Sequence, residues 1–410
     1  MVSGKRARAA ESGDRKVSSC ALDTAELWIG DGTVLTGHVI LAAGRIETVG
    51  AGRYAGDLPV TDLGRMRLSP GMIDLMVLGG LGKSILRDDA TSLAREYVRL
   101  GVTSCQLSIG TLPRDAMRRV AENTRTGMAY EGHDAARILG LYLEGPFQQP
   151  DLTGGSMRDY ALPATEENLQ FILNLAPAIT MINVSPGIDN DQAAVRRFRQ
   201  AGKIVSMAHS DASADRILAC IEAGTSVLGH VWDNNSGRIG DSGVQQPTLE
   251  HVALIDDRVR FIHLISDGTH VDPLMTKLVL RCRGVGSICL VTDSNVRSGC
   301  PDGEFVSDDG RTWHKQGGVI RTESGRLAGS ALLLPDMFRN FVRFTGLQPA
   351  EAIRTVTLNP AACLGRDDEF GVLAPGRIAD LVAWDSRLRV RRVWRAGTEI
   401  ENVSELARLS

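Results

Sequence analysis

Four residues with acid, base or ligand chemistry stand where short apolar runs end. Leu139-Gly140-Leu141-Tyr142-Leu143 leads into Glu144-Gly145-Pro146-Phe147; other runs end Ser206-Met207-Ala208-His209, Leu228-Gly229-His230 and Leu290-Val291-Thr292-Asp293. One carboxylate and two imidazoles offer three O/N ligands to a divalent metal and leave a position for water, as catalytic rather than closed structural sites do. Such a metal would lower the pKa of a water toward about 7 and polarise a carbonyl oxygen. Asp293, with no ligand role, would take the proton from that water and return it to a leaving nitrogen. This chemistry hydrolyses an amide or another C–N bond without a covalent enzyme intermediate. The competing reading is structural, because a single His after an apolar run is more often packed as a strand-end residue. Spacing does not decide: 65 residues separate Glu144 from His209, and only a fold can join them. Asp267-Gly268-Thr269-His270 is equally open, as mouth residues or as an ordinary turn.

The elements that would position these residues form a rhythm of short apolar runs and helix-length amphipathic segments, the pattern of β–α units on a parallel sheet. Strands are expected at 71–77, 103–107, 138–144, 179–184, 204–209, 226–230, 261–266 and 287–293. Helices are expected at 90–100, 166–175, 191–201, 214–223, 273–283 and 334–345. Eight strands close a (β/α)8 barrel, whose strand ends share one mouth built by the βα loops. An open doubly wound sheet would want a GxGxxG after the first strand, and none is there. Glycine-punctuated apolar runs at 27–29, 39–41 and 46–49 are matched by others at 379–384 and 390–394. The expected organisation is a polar, disordered tail at 1–20, a small β-sandwich domain from 21–67 and 367–410, and an α/β barrel at 68–366.

Composition excludes several classes. The 410 residues are 43% hydrophobic and 23% charged, enough apolar content for a large core. Lys plus Arg number 46 against 49 Asp plus Glu, a net charge of −3, which argues against a general nucleic-acid binder. Seven scattered cysteines without a CxxC pair suggest no disulfide framework or cysteine zinc site. No run approaches a membrane span, and the first twenty residues lack the apolar stretch of a signal peptide, so a cytoplasmic setting is expected. Of eight histidines, His38, His133, His251, His263 and His314 have no assigned role.

Taken in order, the motifs resemble those of the N-acetylglucosamine-6-phosphate deacetylases of the amidohydrolase superfamily. The likeness runs through Ser69-Pro70-Gly71-Met72-Ile73-Asp74, Leu143-Glu144-Gly145-Pro146-Phe147, Ala208-His209-Ser210-Asp211-Ala212 and Gly229-His230. It continues through Ser266-Asp267-Gly268-Thr269-His270-Val271, Val291-Thr292-Asp293, Leu327-Ala328-Gly329-Ser330, Asn359-Pro360-Ala361 and the segment from Gly371 to Val382. The resemblance implies a (β/α)8 barrel with a small β domain from both termini, and a homodimer. It assigns Glu144, His209 and His230 to the metal, Asp293 to acid/base catalysis and His270 to substrate. Arg238, in Ser236-Gly237-Arg238, corresponds to an arginine that reaches a phosphate across the dimer interface.

Three departures bear on substrate. Where many amidohydrolases carry His-x-His after the first strand, this chain has Met76 and Leu78, which do not replace imidazoles on zinc, so one metal is expected. Zinc suits the ligand set; iron, cobalt or manganese would also accept it. Twelve residues beyond Glu144, where the deacetylases place a carbonyl-polarising histidine, stands Ser156, and losing one such donor typically costs about 10²–10³ in rate. After His230, where an Asn-Ala pair binds the sugar phosphate, the chain reads Val231-Trp232-Asp233-Asn234-Asn235. A carboxylate at Asp233 would repel a phosphate dianion unless it turns away to pair with Arg238. The favoured expectation is a small-molecule substrate that is an N-acetylated amino sugar or similar N-acyl compound without the 6-phosphate. The alternatives are hydrolysis of another C–N bond, cyclic amide or imine-type, and a non-catalytic binding relative. Retention of three ligands together with Asp293 speaks against the last.

Overall fold

In a computed structural model, residues 19–153, 158–189, 192–233, 243–308 and 310–403 are described, with the backbone of 238 and 239. Eight parallel strands follow one another in chain order: Met72–Val77, Val102–Ile109, Arg137–Phe147, Ile179–Val184, Ile204–Met207, Val227–Leu228, Phe261–Leu264 and Ile288–Leu290. A parallel bridge between Val77 and Ser294 brings the first and eighth strands together, so the sheet curls into the expected barrel. The first two strands are buried at every residue, as strands covered on both faces must be; the first is apolar but for Asp74, while the second also buries Thr103, Ser104, Gln106 and Ser108.

Helices clothe the barrel and begin where their caps say they should. Asp89 accepts from the Ser92 amide to start Ala90–Arg99, and Asp272 precedes Pro273 to start Pro273–Arg283. Gly346, at φ 77°, ends Leu334–Thr345 in the left-handed conformation that a glycine accepts without strain. The helices Arg114–Met128, Leu249–Ile255, Pro349–Ala352 and Leu358–Cys363 lie outside the expected set. So does a three-stranded sheet, Gly303–Val306, Thr312–Gln316 and Val319–Thr322, inserted after the eighth strand.

Strands from both termini form a separate sheet. Its order runs Thr398–Glu399, Val390–Arg395, Leu381–Trp384, Arg67–Pro70, Cys20–Trp28, Val34–Ala42, Arg45–Ala51, with Val60–Asp62 beside Cys20–Trp28. Leu22, Leu27, Leu41, Leu381 and Trp394 belong to its own apolar cluster. It is tied to the barrel by Arg137, at the start of the third strand, whose guanidinium donates to Asp380 at 2.7 Å. Among the described residues no helix is long and apolar enough to cross a membrane.

The eighth strand is held at both ends. Asn359 donates from Nδ2 to the carbonyls of Val285 (2.8 Å) and Ile288 (2.7 Å), which gives the Asn359-Pro360 motif a structural role. At the other end Asp74, fully buried in the first strand, reaches Thr292: Oδ1 accepts from the Met76 and Thr292 amides, and Oδ2 lies 2.6 Å from the Thr292 hydroxyl. Burial pushes the Asp74 carboxyl up to about 7 against the pull of those bonds. When ionised, Asp74 accepts from the Thr292 hydroxyl; when protonated, it can donate to that oxygen and leave the hydroxyl to donate to the Met76 carbonyl at 3.1 Å.

Because the folded pKa of Asp74 lies above the ordinary value near 4, this group's stabilisation is complete below about pH 4. It is lost as pH rises through about 7, by an amount on the order of a few kcal/mol. Asp74→Asn, a neutral isostere, is expected to remain stable and to flatten that fall in urea unfolding measured from pH 5 to 8. Asp74→Ala, which orphans buried amides, is expected to lose about 2–4 kcal/mol. An asparagine variant as weak as the alanine one would mean that the charged form is required.

Candidate active site

The strand ends bring the predicted residues to one mouth. Glu144 lies within the third strand, while His209, His230 and Asp293 stand two or three residues past strands shorter than the sequence suggests. His209 and Asp293 take positive φ, 52° and 48°, where the chain turns sharply from strand to loop. Such backbone conformations in non-glycine residues cost about 1–3 kcal/mol and are tolerated where neighbours fix them. Around Asp293 the neighbour is Gly329: a Cβ there would meet the Asp293 carbonyl oxygen at 2.5 Å, and the next amide, Ser330, donates to that oxygen at 3.1 Å. The Leu327–Ser330 motif thus packs the acid/base candidate in place.

Glu144, His209 and His230 are each at most 7% exposed, and their ligand atoms lie within 4.8 Å of one another. Both imidazole Nε2 atoms face the same carboxylate oxygen, Glu144 Oε1, at 2.8 Å from His209 and 3.0 Å from His230. Burial alone would raise the Glu144 carboxyl; hydrogen bonds and charge from the two imidazoles outweigh it and hold Glu144 well below the usual carboxylate range. Burial likewise opposes a charged His230, but Glu144 dominates and lifts its pKa to about 10. Two imidazoles and a carboxylate converging in a buried pocket fit a divalent cation of the zinc type.

Asp293, Asp233, Glu144 and His209 line one cavity of about 950 Å³, mouth included. Loss of hydration and the nearby Glu144 charge push the Asp293 carboxyl well up, Asp233 adds to this, and His230 and His270 pull it down. A cation at the triad would oppose the carboxylate repulsion and favour the ionised base. Asp233 is 8% exposed and faces this cavity, with no side-chain ion pair or hydrogen bond among the described residues.

His270 sits in a turn organised by Asp267, whose Oδ1 accepts from the amides of Thr269 and His270 and whose Oδ2 binds His270 Nδ1 at 2.7 Å. The segment is therefore a turn, which follows the seventh strand and sets His270 near enough to Asp233 and Asp293 to feel their charge. Burial disfavours the imidazolium, but Asp267 more than compensates and raises the His270 pKa. Its Nε2 has no partner among the described residues, which leaves one nitrogen for a ligand. In the sequence Asp267 is open between a mouth residue and an ordinary turn, with no sign that it orients His270.

Ser156 and Asn234 lie outside the described residues. The backbone of Arg238 forms the two-residue strand Arg238–Ile239 against Gln245–Gln246; its side chain lies outside them too. Trp313 and Asp308, from the inserted sheet, join the cavity unforeseen. The pair Gly317-Gly318 between two apolar-flanked runs was the available hairpin signal.

Comparison with known proteins agrees with this architecture. The Amidohydrolase family matches residues 69–407. The N-acetylgalactosamine-6-phosphate deacetylase of Escherichia coli O157:H7 is 32% identical over 383 residues, covering 91% of this chain and 96% of that protein. The N-acetylglucosamine-6-phosphate deacetylase of Vibrio furnissii is 30% identical, covering 86% of each chain. The crystal structure of N-acetylglucosamine-6-phosphate deacetylase from Pasteurella multocida superposes with a TM-score of 0.85 at 26% identity, over 94% of this chain and all of that one. The non-catalytic alternative is set aside: the chain belongs to the amidohydrolase family, in the branch of the N-acetylglucosamine-6-phosphate deacetylases, and is a hydrolytic enzyme.

Proposed function

We propose that this enzyme is a metal-dependent deacylase that removes the acetyl group from an N-acetylated amino sugar. The convergence of Glu144, His209 and His230 beside Asp293 in one cavity is the observation that carries this reading. The three side chains hold a single divalent ion, zinc by preference of the donor set. When bound, the ion supplies Lewis acidity, making water acidic near neutral pH and polarising the amide carbonyl. Asp293 accepts the proton as water adds to the carbonyl carbon, then delivers it to the departing nitrogen. His270, oriented by Asp267, donates from Nε2 to a polar group of the sugar. Homodimerisation, with Arg238 reaching a neighbouring site, belongs to the same reading.

Asp233 supports a substrate without phosphate. A buried carboxylate that faces the cavity would repel a dianion, and like charges brought together cost several kcal/mol. Hydroxyl or cationic groups suit it instead. Acetate release from paired phosphorylated and unphosphorylated N-acetylglucosamine and N-acetylgalactosamine checks this, with the unphosphorylated sugars expected to react faster. The double change Ser156→His with Asp233→Asn is expected to raise kcat/KM on the 6-phosphates at least about tenfold. Efficient hydrolysis of a 6-phosphate by the unaltered protein would remove the phosphate exclusion and leave the deacetylase reading standing.

A further inference from the structure

The cavity at the barrel mouth has two unlike sides. Glu144, His209 and Asp233 come from the third, fifth and sixth strands and the turns that follow them. The other arc is apolar: Leu78, Ile85, Leu86, Leu112, Val296 and Trp313. These follow the first, second and eighth strands, which adjoin through the Val77–Ser294 bridge and lie across the ring from the fifth and sixth. Asp293, also after the eighth strand, stands where the two sides meet.

Most polar side chains on the apolar arc are already engaged by protein, the exception being the Trp313 indole Nε1, which is buried and has no partner among the described residues. Asn295 donates from Nδ2 to the Ala328 carbonyl and accepts at Oδ1 from the Arg297 amide. Asp308 binds the Arg87 guanidinium at 2.7 Å and accepts from the Ser84 hydroxyl. Trp313 is steadied by Phe305, edge-on with ring centroids 6.0 Å apart, and by the Arg311 guanidinium 5.7 Å from its ring. A ligand placed against this arc meets hydrocarbon and an indole face.

A single acetyl methyl would cover little of such a wall, and a polyhydroxylated sugar belongs with Asp233 and His270 on the other side. We infer that the arc is an acyl subsite and that the enzyme takes N-acyl groups longer than acetyl, of about three to six carbons, in preference to acetyl. This rests on the amino-sugar deacylase reading. Water adds to the acyl carbon and the C–N bond breaks. The acyl chain leaves as a carboxylic acid, the sugar nitrogen takes the transferred proton, and no redox partner is needed.

The test is kcat/KM of the zinc-loaded enzyme on N-acetyl, N-propionyl, N-butyryl and N-hexanoyl glucosamine and galactosamine, read as free amine released. Each methylene up to butyryl is expected to raise kcat/KM about threefold to fourfold, the usual effect of burying one. Trp313→Ala, on the peripheral inserted sheet, and Leu86→Asp should each bring the butyryl-to-acetyl ratio toward one, with retained metal content certifying the fold. A fall in kcat/KM from acetyl to propionyl, or a ratio that neither variant moves, overturns the acyl subsite while leaving the deacetylase reading intact. Failure to hydrolyse every N-acyl sugar overturns both.

Discussion

Asp293→Asn is expected to keep a full complement of metal and to lower kcat by about 10²–10⁴, the usual contribution of a positioned general base. Asparagine preserves the size of the side chain and asks nothing new of the Gly329–Ser330 segment packed behind it. It removes the carboxyl that the proposed mechanism uses to carry a proton from water to nitrogen. Metal content by elemental analysis, beside acetate release, separates this from a folding defect. A fully active variant would take Asp293 out of the mechanism.

His209→Ala is expected to strip the metal. Three protein ligands are the complement of a catalytic site, and losing one leaves Glu144 and His230 unable to retain the ion through dialysis. Activity should fall to background. The unaltered protein should gain thermal stability on titration with zinc, by about 2.7 kcal/mol at a hundredfold excess over Kd, because the ion binds only the folded chain. The variant should show no such gain. Stoichiometric metal in the variant would overturn the ligand assignment.

Much of this site was legible because barrel strands announce themselves. Runs such as 139–143 are apolar and buried on both faces, and the polar residues that end them fall at the mouth by the geometry of the fold. Glu144, His209, His230 and Asp293 were readable in that way. The strands behind His209, His230 and Asp293 proved shorter than their apolar runs, since the chain turns out of the sheet, through positive φ at His209 and Asp293, before the chemistry begins. What stayed hidden was tertiary. Asp74 holds the end of the eighth strand from 218 residues away. Trp313 reaches the cavity from an inserted sheet whose polar, glycine-broken sequence gives no barrel rhythm. The helix Arg114–Met128 carries four arginines but keeps Met117, Val120, Ala121 and Thr124 on one buried face, a periodicity that was present in the sequence and could have marked it.

The central claim, metal-dependent hydrolysis of an N-acylated amino sugar at Glu144, His209, His230 and Asp293, is met most directly by one assay. The protein is stripped with a chelator, reloaded with one equivalent of zinc, and assayed for carboxylate release from N-acylated glucosamine and galactosamine, with and without the 6-phosphate. The expected result is release that is absent in the stripped protein, restored by zinc, and lost again in Asp293→Asn. Zinc-loaded protein that hydrolyses none of these sugars, or stripped protein that hydrolyses them as well as the loaded form, would contradict it.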